Sequence, residues 1–178
     1  MTAQHLAITC RDRRICMQLE WNRAPQTIRN LLRYIELGRL RGSTFHRVLG
    51  HANQRGHPAP ISAVQGGVAY VAGSTYQPAL GLGPIPHEST AITGLKHLDG
   101  TVSMARYGPG ETYGSFFVCV GAQPQLDFGG RRFTDGQGAA AFGTVIQGMD
   151  FFRLLCRDIG QNEFLDPPIE IEQIELVA

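Results

Sequence analysis

One arginine in this chain stands in unusual company. In Thr44-Phe45-His46-Arg47-Val48 it lies between aromatic and aliphatic neighbours, with no acidic residue close in sequence to pair it. A guanidinium is planar, permanently charged and rich in N–H donors, so one carried on an apolar strand can offer hydrogen bonds to an electron-rich atom of a ligand. Three other stretches have the same mixed character. Val64-Gln65-Gly66-Gly67 sets a polar amide beside backbone freed by two glycines. Val102-Ser103-Met104-Ala105 runs into a Gly/Pro-rich loop, and Ser115-Phe116-Phe117-Val118 leaves it.

Other chemistries find less support. His51, His57, His87 and His97 fall in loops, none with the H-x-x-x-H spacing of a helical metal site and none with a cysteine at zinc-finger spacing. No metal and no cofactor is expected. Gly108-Pro109-Gly110-Glu111-Thr112-Tyr113-Gly114-Ser115 is glycine-rich but lacks the Gly-Lys-Ser/Thr ending of a phosphate loop. Asp127-Phe128-Gly129 spells a kinase tripeptide in a chain too short for a kinase. Cys10, Cys16, Cys119 and Cys156 form no C-x-x-C pair and read as free thiols.

These residues need a scaffold, and the pattern supplies one. Leu6 to Cys10 and Ile15 to Trp21 read as strands joined by a polar turn at residues 11–14. Pro25 opens a helix whose stripe is Ile28, Leu31, Leu32 and Ile35, with Gly38 as its stop. Ser43 to Leu49 is a strand. Residues 50–97 are long and irregular, broken by the apolar run Ile61 to Val71. Strands resume at Gly100–Ala105, Phe116–Gly121 and Ala141–Ile146. A second helix fits Met149 to Ile159. The last residues alternate Ile169, Ile171, then Ile174, Leu176, and the slip near Glu172-Gln173 suggests a β-bulge.

The expected fold is mainly β: a closed antiparallel barrel of about eight strands with a helix capping each end. At 178 residues and 19.5 kDa the chain makes one domain, 1–178. Hydrophobic residues are 43% and charged residues 17%, below the usual ~25%, with 22 Gly and 10 Pro in their place. That is too apolar for disorder and too turn-rich for a helix bundle. A net charge of +1 gives no electrostatic reason to expect nucleic acid or an anionic membrane as partner. No run approaches ~18 apolar residues, and the first residues lack the order of a signal peptide. A cytoplasmic monomer is expected.

In order along the chain, the motifs resemble the cyclophilin-type peptidyl-prolyl cis–trans isomerases. Ala24-Pro25-Gln26-Thr27-Ile28-Arg29-Asn30-Leu31-Leu32 matches the family's helix start. Phe45-His46-Arg47-Val48 matches its Phe-His-Arg-Val/Ile strand, and Val64-Gln65-Gly66-Gly67 its Ile-Gln-Gly-Gly. Lys96 to Ala105 matches Lys-His-x-x-Gly-x-Leu-Ser-Met-Ala. Gly108-Pro109, Gly114-Ser115-Phe116-Phe117, Leu126-Asp127, Phe142-Gly143 and Gly148-Met149-Asp150 continue the match.

The resemblance implies rotation about X–Pro bonds, with Arg47 and Gln65 catalytic. It assigns Phe45, His46, Ala105, Phe117 and Leu126 to substrate binding. It implies no cofactor, and as partners proline-containing peptides and unfolded or partly folded proteins. A proline-peptide binding module or chaperone with little turnover is the alternative. Three departures stand out. Between Val48 and Gln65 the chain is longer than the family's short link, and the usual pocket aromatic and Met have no clear counterparts. Gln125 stands where a Trp is common. An insertion, Phe128 to Gln137, precedes Ala139 to Ala141, where a His is usual.

Overall fold

The computed structural model describes residues 5–68 and 81–177, so residues 69–71 of the expected run Ile61 to Val71 lie outside the described residues. Strand β1 (His5–Cys10) and strand β2 (Arg13–Leu19) form an antiparallel hairpin. Its turn is tighter than four polar residues suggest. Arg13 pairs with Cys10 and Arg14 with Thr9, so only Arg11 and Asp12 turn the chain, and Arg11 takes a φ of 52°.

Helix α1 (Pro25–Glu36) buries Ile28, Leu31 and Tyr34. Its N-cap is Ala24, which has no side chain to satisfy the first free N–H groups. Glu88 does so from afar. Its carboxylate accepts from the Gln26 N–H (3.1 Å), the Thr27 N–H (2.8 Å) and the Thr27 hydroxyl (2.7 Å). A carboxylate there also complements the helix dipole. The irregular stretch is thereby tied to the helix.

The remaining elements are β3 (Thr44–Leu49), β4 (Ala63–Gly67), the short helix α2 (Thr90–Thr93), β5 (Thr101–Arg106), β6 (Thr112–Cys119), β7 (Ala140–Gln147), α3 (Met149–Asp158), β8 (Phe164–Glu170) and β9 (Gln173–Val177). The strands make one curled antiparallel sheet, ordered β8-β3-β4-β6-β5-β7-β2-β1-β9. Among the described residues there are nine strands rather than eight, and α2 adds a third helix. Helix α1 packs on β6 and β7, and α3 on β3 and β4.

The C-terminus corrects two expectations. The phase slip at Glu172-Gln173 is no bulge. It marks where the chain leaves one edge of the sheet for the other: β8 pairs with β3, and β9 pairs with β1. Two residues make the crossing. The Ile171 N–H donates to the Ser43 carbonyl (2.8 Å) and the Glu172 N–H to the Thr9 carbonyl (2.9 Å). Among the described residues no ladder joins β8 to β9. The chain itself bridges the gap, so the barrel is curled rather than closed.

Candidate active site

Two β-bulges sort the site from the core. Residues two apart on a regular strand share a face. Phe45 and Arg47 do not, because the register runs Phe45–Gly66 and then Arg47–Gln65, skipping His46. Phe45 turns inward and is fully buried against Phe116, Phe151 and Phe152, with ring centroids 5.5–6.2 Å apart. Arg47 turns to the opposite face. Gly66 is required here, since a Cβ would sit 2.6 Å from the Phe45 ring. In β5 the register shifts again between Met104 and Arg106. Met104 stays in the core while Ala105 and Arg106 both face outward. Bulges commonly re-aim side chains in this way.

Those outward residues line a pocket of about 140 Å³. Its apolar wall is Leu49, Ile61, Ala63, Ala105, Phe117, Leu126 and Phe133. Arg47, Gln65 and Tyr113 form its polar side. One Nη of Arg47 pairs with Glu163 at 3.0 Å, and the other reaches the Gln65 Oε1 at 3.5 Å. The guanidinium carbon lies 5.6 Å from the centroid of the Phe164 ring. The Gln65 Nε2 donates to the Tyr113 and Ser115 hydroxyls, each at 3.2 Å, and the Ser115 hydroxyl donates to the Gly66 carbonyl at 2.8 Å. This chain of bonds fixes which end of the Gln65 amide faces Arg47. The Arg47 Nε is buried with no hydrogen-bond partner among the described residues.

The long segments that depart from the family pattern finish the pocket. Arg106, its side chain 1% exposed, grips Asp135 through two bonds of 2.8 Å and the Gly138 carbonyl at 2.8 Å. Its guanidinium lies 3.9 Å over the Phe133 ring. That holds the 128–137 insertion against the sheet. Arg132, from the same insertion, donates to the Gln54 Oε1 (2.9 Å) and the Ala59 carbonyl (3.1 Å), and lies 3.1 Å from the His57 Nε2. The two departing segments are therefore laced to each other.

Behind the pocket lies a Ser-His-carboxylate arrangement. The His97 Nδ1 is 2.8 Å from Asp127 and its Nε2 is 3.0 Å from the Ser103 hydroxyl. Such a set can activate a nucleophile only if substrate reaches the serine. Ser103 is 0% exposed and His97 1%. The His97 ring instead stacks on Phe117, centroids 6.2 Å apart. Burial pushes the imidazole pKa down, though Asp127 opposes this. The set braces the Phe117 and Leu126 walls.

Five of the seven expected site residues meet in the pocket: Arg47, Gln65, Ala105, Phe117 and Leu126. Phe45 and His46 do not line it. Phe45 is core, and the skipped His46 is buried with its Nδ1 3.2 Å from the Thr44 carbonyl. Burial holds the His46 imidazole down at about 4, a neutral ring away from the groove. Gln125 does not line the pocket either; its Oε1 accepts the Arg131 N–H. Glu163 was out of reach of local reading, being 116 residues from Arg47. Ile61 and Ala63 supply apolar wall where the family's aromatic and Met lacked counterparts. Arg132 and Phe133 are also missing from the sequence-based site. The signal available for them was only that the insertion Phe128 to Gln137 departs from the family's pattern.

Comparison with known proteins points to one family. The family described as cyclophilin type peptidyl-prolyl cis-trans isomerase/CLD matches residues 5–176. Peptidyl-prolyl cis-trans isomerase A of Dickeya dadantii is 33% identical over 150 residues, which is 84% of this chain and 69% of that protein. A peptidyl-prolyl cis-trans isomerase of Synechococcus elongatus is 36% identical over 124 residues, 69% of this chain and 72% of that one. The fold matches a cyclophilin-type isomerase of Cryptosporidium parvum, crystallised in the presence of the dipeptide Ala-Pro, with a TM-score of 0.69 at 17% identity, covering 98% of this chain and 99% of that one. Sequence match and fold agree, and the chain belongs to the cyclophilin-type peptidyl-prolyl cis–trans isomerases.

Proposed function

We propose that the pocket accelerates rotation about exposed X–Pro bonds of unfolded or partly folded proteins, with Arg47 as the donor that stabilises the twisted amide. An X–Pro bond rotates over a barrier of ~18–20 kcal/mol because the C–N bond has partial double-bond character. Halfway round, resonance is lost and a lone pair localises on the prolyl nitrogen. A guanidinium aimed at that nitrogen favours the twisted state over the planar one, which is what lowers a barrier. The dry wall of Phe117, Leu126, Ile61 and Phe133 holds the ring while the acyl side turns. The Gln65 Oε1 orients Arg47, and the Ala105 backbone runs beside the peptide. No nucleophile or proton transfer enters.

The single observation that carries this reading is a guanidinium at the mouth of an apolar pocket sized for a small ring. A hydrogen bond to a charged group contributes ~1.5–3 kcal/mol, and each ~1.4 kcal/mol is tenfold in rate. Arg47 therefore accounts for roughly 10- to 100-fold. The pair with Glu163 already occupies one Nη of Arg47, which favours the alternative of a proline-peptide binder with little turnover. NMR exchange spectroscopy on a short Ala-Pro peptide separates the two. Faster exchange with catalytic amounts of protein supports the isomerase, and binding without faster exchange supports the binder. We further propose that the protein works as a cytoplasmic monomer. Four free thiols, two of them buried, suit a reducing compartment.

A further inference from the structure

Three guanidiniums line the pocket, those of Arg47, Arg106 and Arg132. Two have carboxylate partners: Arg47 has Glu163 and Arg106 has Asp135. Arg132 pairs with no carboxylate among the described residues. Its acceptors are neutral, the Gln54 Oε1 and the Ala59 carbonyl, and the His57 Nε2 lies 3.1 Å away. Those contacts all fall on one Nη, leaving the rest of a half-buried, planar donor at the pocket wall. Burial and the nearby Arg47 charge both push its pKa down, while Glu163 pulls it up. An additional anion would relieve that strain between cations.

We propose that the pocket selects X–Pro segments carrying a carboxylate side chain beside the proline, with Arg132 as the counter-ion. This rests on the isomerase reading above and names its substrate class. A carboxylate matches one free guanidinium edge, and the three guanidiniums outnumber the two carboxylates that neutralise them. The Gln54 and Ala59 bonds hold Arg132 in place before substrate arrives, so little order is lost on binding.

The test measures kcat/KM for matched peptides with Glu, Gln or Lys next to proline, on either side in turn. At low salt and pH 8, the Glu peptide is expected to exceed its Gln isostere by about three- to tenfold, with Lys below Gln. At about 1 M salt, where the screening length is about 3 Å, the order should flatten. Arg132→Gln should bring the Glu-to-Gln ratio of kcat/KM to about one whatever it does to their common rate, and Arg132→Lys should keep part of the ratio. Should either variant fold poorly, the salt series on the unaltered protein still decides. Equal rates for Glu, Gln and Lys at low salt, with normal turnover, overturn the carboxylate preference and leave the isomerase intact. Absence of turnover for every peptide overturns the isomerase reading instead. Selectivity is then read from dissociation constants for the same three peptides by NMR titration, where equal values overturn it.

Discussion

Phe45 and Arg47 stand two residues apart on one strand and belong to different halves of the molecule. Around Phe45 the interior is continuous hydrocarbon: Phe116, Phe142, Phe152, Ile8, Ile15 and Leu31 are all fully buried. Around Arg47 a second, smaller cluster of Leu49, Ile61, Ala63, Ala105, Phe117 and Leu126 forms the pocket wall. The first is assembled by regular strands and helices packing apolar faces together. The second sets strand residues against loops that no ladder holds, and arginines hold those loops: Arg106 on Asp135, Arg132 on Gln54 and Ala59. Apolar side chains carry no charge to screen or titrate, whereas charged hydrogen bonds respond to both salt and pH. The stable half and the working half of this protein therefore differ in the physics that holds them.

Breaking the interior should have the largest effect. Phe45→Ala removes a ring that touches Phe116, Phe151 and Phe152, and Phe-to-Ala core substitutions cost about 3–5 kcal/mol. The urea midpoint should fall accordingly, while turnover per folded molecule stays near normal. A stable variant that had lost activity would return Phe45 to the substrate site.

Acid acts next, through the buried imidazoles. The folded His46 pKa is held near 4 by burial, against an ordinary 6.5. Between those values the unfolded chain binds a proton that the folded chain does not. Stability is therefore complete above about pH 6.5 and declines as pH falls towards 4, by about 3 kcal/mol in all. His97 and His87, also pushed down by burial, act in the same direction. Asp135, held low first by its hydrogen bond from Arg106, adds a loss of the same sign only around and below 3.8. Urea titrations at pH 7 and 4.5 check this. Equal midpoints would contradict it, and His46→Phe should flatten the difference.

On the working side, Arg47→Ala should slow exchange in an Ala-Pro peptide by roughly 10- to 100-fold with the fold unchanged. Equal rates in NMR exchange would remove Arg47 from the mechanism.

How much of this could be read from residues alone follows the same division. Strand and helix periodicity placed β1, β3, α1 and α3 closely, because a half-buried element must alternate or repeat. The family motifs brought Arg47, Gln65, Ala105, Phe117 and Leu126 to one place. Phe45 and His46 fall outside the pocket because a bulge reverses which face a strand residue takes, and a bulge is a matter of pairing between strands. The crossing at Ile171-Glu172 looked like a bulge for the converse reason: a change of phase is the same in sequence whether the strand kinks or changes partner. Arg132, Phe133 and Glu163 lay beyond reach because long-range hydrogen bonds between loops leave no periodic trace.

The smallest effect concerns the hold on Arg47 itself. Its pair with Glu163 is partly open, the side chains 28% and 34% exposed, so it contributes at the level of a screened surface pair, about 0.2–1 kcal/mol. Two roles are separable. Glu163 can place the guanidinium by accepting a hydrogen bond, or it can tune the donor by its charge. If placement dominates, Glu163→Ala lets the side chain wander and lowers kcat about two- to fivefold, with little change in KM. Glu163→Gln keeps an acceptor oxygen at similar reach and restores most of the rate. If charge dominates, Gln behaves like Ala. The geometry favours placement, because Arg47 rests between three fixed groups at once: Glu163 at one Nη, Gln65 at the other and the Phe164 ring near the plane. Matching losses in the Ala and Gln variants would assign the residue to charge instead.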